Sequence, residues 1–244
     1  MADLHDVASS SVQVDVTAFS VEFESDMASQ VGVGLPDPAN MNEMRQAPDC
    51  KEFEIPFVDE FQSIQDKGVM IEIPLDQLPR GAKPLASRLI FVRKTGPDGE
   101  IVKHKARLVV LGNMSRPGVH FDPNELSAPT PAATSLRIMF AIAAQLGYHT
   151  RQIDIKTAFL NAPLREEVYI TLPKGVNNSY TPDGKIRVFK LVKALYGLKQ
   201  APREWNTEFD GTLRDQCGFT RLKNESCIYI YTTRSGKPLL LCLC

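Results

Sequence analysis

The residues of this chain with chemistry to offer are one carboxylate and a row of cations. In TRQIDI, residues 150–155, alternation predicts a short strand with Ile153 and Ile155 on one side and Asp154 on the other. An acid is then left on an exposed strand face or end, where it suits a hard divalent cation. Earlier, RLIFVRKTGPDGEIVKHKARLVVLG sets two β-rich runs around Pro97-Asp98-Gly99, the signature of a hairpin. Lys94, Lys103, Lys105 and Arg107 project from it, and cations so arranged can neutralise phosphate. Taken separately, each feature reads as solvated surface.

Other chemistries lack their motifs. GVGLPDPAN has neither the spacing nor the Lys-Ser/Thr pair of a phosphate-binding glycine loop. The chain contains no G-x-S-x-G and no H-E-x-x-H. Cys50, Cys217, Cys227, Cys242 and Cys244 form no C-x-x-C pair and read as buried thiols of a reducing compartment. No window reaches the roughly 18 apolar residues of a membrane span, and the N-terminus does not resemble an export signal. A soluble, intracellular protein is expected.

The 28 basic and 29 acidic residues nearly cancel, but they are unevenly placed. Residues 1–50 hold nine acidic residues against Arg45 alone, so the remainder of the chain carries 27 basic residues and 20 acidic ones. The expected organisation is an acidic, poorly ordered leader over 1–50 and a mildly basic body over 51–244.

Several elements must position Asp154 and the hairpin. Phe57, Phe61 and Ile64 before Gly68 predict a helix, and VMIEI a strand. A helix is expected over about 134–146, with Leu136, Met139, Phe140, Ala143 and Ala144 as its apolar face and Gly147 as its stop. EEVYITLP and the run from Lys185 read as strands joined through a PDGK turn. Pro202 opens a helix in which Trp205, Phe209, Leu213 and Cys217 recur every four residues before Gly218. SCIYIYTTRSGKPLLLCLC is a terminal hairpin. The order of elements predicts an α+β domain with helices packed on an antiparallel sheet.

Three segments carry a resemblance. HKARLVVLGNMSRPG, RQIDIKTAFLNAPLREEVYITLPKG and FKLVKALYGLKQAPREW occur in that order. They resemble the reverse transcriptase of copia-type retrotransposons, over roughly residues 53–244. The resemblance implies a polymerase right hand, with the fingers and part of the palm present. It implies that Lys94, Lys105 and Arg107 belong to a fingers hairpin touching triphosphate and template, and that Asp154 is the first palm carboxylate, a ligand for Mg2+. Phe159 matches the ring that excludes a ribose 2′-hydroxyl. Gln200 matches the stretch lining the nucleotide and template side, and Arg203 is placed to meet phosphate or to cap the palm helix. Trp205 is expected as a core anchor, and Tyr196-Gly197 as the turn before that helix.

The implied function is RNA-directed DNA synthesis, extending a primer on an RNA or DNA template with deoxynucleoside triphosphates by two-metal transfer. Integrase and ribonuclease H domains are expected to flank it in a polyprotein of the cytoplasm or a virus-like particle. A non-catalytic nucleic-acid-binding remnant is the alternative. The chain departs from the family in lacking a fingers tryptophan, its run there being Arg88-Leu89-Ile90-Phe91, in having Ser115 or Arg116 where a glutamine is usual, and in having Thr130 where a valine is usual. The resemblance also implies a chain cut just before Tyr-x-Asp-Asp, which is expected to bind metal and polymerise poorly by itself.

Overall fold

The computed structural model describes residues 35–176 and 179–243. Helix α1 (Met41–Gln46) starts at Asn40, whose side chain accepts from the Asn42 and Glu43 amides. Helix α2 (Cys50–Asp66) follows and buries Phe53, Phe57, Glu60, Phe61 and Ile64 on one stripe. Gly68, at φ 58°, turns the chain into strand β1 (Met70–Ile73) as its position suggested.

The hairpin forms as expected from strands β2 (Leu85–Thr95) and β3 (Ile101–Val110). Strands β4 (Pro163–Thr171) and β5 (Val188–Lys193) complete a five-stranded sheet in the order β1-β5-β4-β2-β3. This sheet corrects the expectation of a purely antiparallel one. β2 and β4 pair in parallel through Leu85 and Ala86, which the long excursion between them permits. The core lies where α1, α2 and helix α4 (Ala201–Gly211) meet this sheet, around Phe53, Phe57, Phe61, Phe91, Leu108, Phe189 and Leu195.

A second sheet joins β6 (Thr220–Arg221), β7 (Ile228–Thr232) and β8 (Pro238–Cys242) in that order. The β7–β8 hairpin is as predicted, with Gly236 at φ 77° in its turn. The expected strand at 150–155 is absent. These residues are irregular, and neither sheet pairs with them. A two-residue alternation makes a strand only where a partner takes up its amides, and Ile153 is instead 81% exposed.

Helix α3 (Ala133–Gln145) forms where predicted but buries no residue, and Phe140 is 62% exposed. The glutamate of the β6–β7 connection fastens its start, Glu225 accepting from the Ser135 hydroxyl at 2.6 Å. Of the cysteines among the described residues only Cys227 is buried, and Cys217 is exposed. The helical path after Gly211 widens into a π turn over Thr212–Gln216, which buries Leu213 and leaves Cys217 beyond its end.

Residues 35–50, read in the sequence as the end of a poorly ordered leader, are built into the body. Met41 and Met44 belong to the core, and Arg93 holds the Pro36 carbonyl, the Asp37 carboxylate and the Asp49 carboxylate. Residues 1–34 lie outside the described residues.

Candidate functional site

Strand alternation sorts the β2–β3 hairpin into two faces. Leu89, Phe91 and Arg93 pair with Leu108, Ala106 and His104 on the side that meets the core. The other side carries Lys94 opposite Lys103, Val92 opposite Lys105 and Ile90 opposite Arg107. This is a row of four cations, and they feel one another. Burial lowers the Lys105 ammonium pKa, and the neighbouring Lys94, Arg107 and Lys103 lower it further.

β3 is the outer strand of its sheet, so its free edge needs partners. Two of its amides find them in the next layer: Leu108 N donates to Glu60 Oε1 of α2 at 3.0 Å, and Val110 N donates to Tyr196 O at 2.8 Å. An open cleft of about 760 Å³ runs along this edge. Lys103, Lys105 and Arg107 line one side of it, α2 the second, and residues 154–159 with Tyr196 the third.

Tyr196 is where these walls converge. The Arg107 guanidinium lies 4.7 Å from the centre of its ring, and Phe159 packs on it with centroids 5.5 Å apart. Burial raises its phenolic pKa; Arg107 opposes that rise, while the carboxylates of Glu60 and Asp154 add to it. Two glycines allow this approach. A Cβ on Gly197, at φ 90°, would stand 2.1 Å from the Val110 carbonyl oxygen, and one on Gly112 would stand 1.9 Å from that of Gly197.

Between Asp154 and Phe159 the backbone itself is strained. Thr157 is the one non-glycine among the described residues with a positive φ, at 53°. A β-branched residue in that region costs on the order of 1–2 kcal/mol, and such strain gathers at functional loops.

Of the residues singled out from sequence, Lys105, Arg107, Asp154 and Phe159 share this cleft. Lys94 stands at the hairpin's outer end beside Lys105. Gln200 and Arg203 are not on its walls. Gln200 is 1% exposed and donates from Nε2 to the His120 carbonyl at 2.9 Å. Arg203 pairs with Glu125 at 2.5 Å and with the buried Glu204 at 2.8 Å. Trp205 packs against the core and stacks on Phe209, as an anchor should.

Sequence reasoning missed Glu60. Its signal was a carboxylate spaced three and seven residues from Phe57 and Phe53, on the apolar stripe of a helix. Burial pushes its carboxyl up to about 7, against the Leu108 hydrogen bond and the charge of Arg107.

Magnesium was the expected ion, but among the described residues no three histidine, cysteine, aspartate or glutamate side chains converge to hold a metal. The residues at hand do not by themselves fit a two-ion site. Among the described residues, no helix is long and apolar enough to cross a membrane.

Comparison with known proteins gives this geometry a context. Residues 73–244 match the family model for reverse transcriptase (RNA-dependent DNA polymerase). The retrovirus-related Pol polyprotein from transposon TNT 1-94 of Nicotiana tabacum is 34% identical over 207 residues, covering 85% of this chain and 15% of that protein. The corresponding polyprotein from transposon RE2 of Arabidopsis thaliana is 36% identical over 161 residues, covering 62% of the chain and 11% of the polyprotein. The Ty1-BL Gag-Pol polyprotein of Saccharomyces cerevisiae is 32% identical over 145 residues, 59% of this chain and 7% of that one. The chain thus spans 15% or less of the length of these relatives.

Proposed function

Because the chain belongs to the reverse transcriptase (RNA-dependent DNA polymerase) family of copia-type retrotransposon polyproteins, we propose that residues 51–244 are the fingers and part of the palm of a nucleotidyltransferase. In this reading the cleft beside β3 receives the phosphates of a deoxynucleoside triphosphate or of the primer-template. The observation that carries it is the meeting of Lys105 and Arg107 with Asp154 and Phe159 in one cleft, although about 50 residues of chain separate the two pairs.

The roles divide by chemistry. Lys105 and Arg107 supply charge to phosphate oxygens without reading sequence, and Lys94 extends that field along the hairpin. The contact with the Tyr196 ring, 4.7 Å from its centre, draws the exposed Arg107 toward the cleft. Phe159, seated on Tyr196, offers a fixed ring edge against a sugar. Asp154 is exposed and is the carboxylate of the 154–159 wall. In the whole polyprotein it would be one ligand of the magnesium ions that serve phosphoryl transfer. Gln200 and Arg203 act at a remove, by setting the start of α4 and the loop around His120. The template, the primer, the flanking integrase and ribonuclease H domains and a place in the cytoplasm or a virus-like particle belong to the same proposal.

Filter binding of a primer-template at several salt concentrations tests the cleft. Replacing Lys105 and Arg107 together by glutamine should weaken binding on all sequences alike and make the slope of log K against log salt shallower by about 2. An unchanged slope overturns the assignment. Asp154 is tested by primer extension on an RNA template. Wherever a polypeptide carrying this chain extends a primer, Asp154→Asn should abolish extension while leaving template binding intact, and undiminished extension removes Asp154 from the chemistry.

A further inference from the structure

The cleft holds one buried ionisable group that the proposed function does not use. Glu60 is 7% exposed, lies on the helix that forms a wall of the cleft, and accepts from the edge amide of Leu108. Its stripe on α2 otherwise consists of Phe53, Phe57, Phe61 and Ile64, so an apolar residue would satisfy packing there. The side chain at 60 thus does two things an apolar one cannot. It takes up an amide that the sheet edge leaves free, and it sets a negative charge next to Arg107.

We infer that Glu60 is a positioning residue for anion binding, an internal counterion that holds the β3 edge to α2 and competes with incoming phosphate for Arg107. This rests on the reading of the cleft as a phosphate site. With an anion bound, Arg107 has a better partner and Glu60 is free to take up a proton. Without one, the Glu60 carboxylate keeps the cation row partly neutralised. Phosphate and proton uptake are therefore linked, and anion affinity falls as pH rises through the range in which the buried Glu60 ionises. That range is near neutrality, since burial pushes the group up to about 7.

Other ionisable groups line the cleft around Glu60. From β3 come Lys103, His104, Lys105 and Arg107. Asp154 and Lys156 come from the third wall, and Tyr196 lies between them and β3. Glu52 and Asp59 are on α2 itself. Of these β3 groups His104 belongs to the inner face of the hairpin, its Nε2 2.6 Å from the Asp49 carboxylate and away from Arg107.

The test is fluorescence anisotropy of a labelled primer-template at fixed ionic strength from pH 5.5 to 8.5, with the wild type, Glu60→Gln and Glu60→Leu. Glutamine keeps an oxygen for the Leu108 amide and loses only the charge. The expected result is that wild-type affinity falls roughly tenfold across the range, as for one unit charge acting over several ångströms in a partly screened site. Glu60→Gln should bind at pH 8 as tightly as the wild type does at pH 6, with little slope. Glu60→Leu should share the flat profile while losing hydrogen-exchange protection at Leu108, a loss the glutamine variant does not show. A slope that survives in Glu60→Gln overturns the inference. Wild-type binding without any slope overturns it too and leaves the cleft reading standing. Failure of all three proteins to bind overturns the cleft reading itself, and this inference with it.

Discussion

The two faces of the β2–β3 hairpin treat positive charge in opposite ways. On the inner face Arg93 is buried beneath the Phe53 ring and is neutralised in full. Both Asp49 oxygens accept from its guanidinium at 2.6 and 2.7 Å, and His104 Nε2 lies 2.6 Å from the same carboxylate. On the outer face Lys94, Lys103, Lys105 and Arg107 stand together without a salt bridge among the described residues, and the nearby cleft sets against them the buried Glu60 and the exposed Glu52, Asp59 and Asp154. Both faces come from one turn and one pleat, so the contrast is a matter of partners and not of backbone. Charge that folding neutralises serves the fold; charge left crowded and unpaired at a cleft is held for a ligand.

The inner face should break most dramatically. Asp49→Ala strands Arg93 and its hydrogen bonds in the core and should cost about 3–5 kcal/mol, read as a fall in the denaturant midpoint. A loss under about 1 kcal/mol would erase the distinction between the faces. The same carboxylate predicts an acid limb. Burial alone would raise its pKa, but the hydrogen bonds from Arg93 and His104 and the charge of Arg93 outweigh that and hold it down to about 2. Its contribution, about 2 kcal/mol, is present in full above the ordinary value of 3.8 and disappears as pH falls toward 2. Glu60 has the reverse sign. Its raised folded value means that stability declines as pH climbs from 4.5 through about 7, a decline that Glu60→Gln should remove from the wild-type profile.

The next effect joins the hairpin to the third wall. Gly197→Ala forces a side chain into a positive-φ position 2.1 Å from the Val110 carbonyl oxygen, so the Val110–Tyr196 hydrogen bond must yield. A cost of about 1–3 kcal/mol is expected, with primer-template affinity falling as Tyr196 leaves Arg107. Lost stability with unchanged affinity would show that the position of Tyr196 does not matter to binding.

How much of this was legible in the sequence depended on whether the signal was local. Pro97-Asp98-Gly99 between alternating runs specified the hairpin, and with it the outward row of cations, because turn and pleat are set within a few residues. Gly68 and Gly236 marked their turns for the same reason. The stretch 150–155 failed because alternation says that a segment could be a strand, while a neighbour decides whether it is one. Asp49 stands at the start of α2 but makes no side-chain capping bond; its partner is Arg93, 44 residues on, which no local pattern signals. Gln200 matched a motif and yet faces His120, 80 residues earlier. Lys105, Arg107, Asp154 and Phe159 stood together in the sequence only through the resemblance, whereas Glu60 showed there only as an acid on an apolar helix stripe and Tyr196 completes the cleft through contacts that no local pattern carries.

The smallest predicted effect sharpens the comparison most, because it asks whether the outer face pays for its charge. Lys94 and Lys103 are direct cross-strand neighbours, and both are exposed. Like charges in that arrangement repel, by about 0.2–1 kcal/mol after solvent screening. Threonine is a good strand residue, so Lys103→Thr removes the repulsion without disturbing the ladder. Folding stability should therefore rise by about 0.5 kcal/mol, measured as a higher denaturant midpoint with the same slope. The gain should shrink at high salt, where the repulsion is already screened. Primer-template binding should move the other way, its salt slope becoming shallower by up to about 0.9 as one phosphate contact is lost. On the inner face the same exchange is impossible, since removing either Asp49 or Arg93 lowers stability with no gain anywhere. A Lys103→Thr protein that is less stable than the wild type, or one that binds with an unchanged salt slope, would mean that the outer cations are solvated surface and that the two faces differ only in burial.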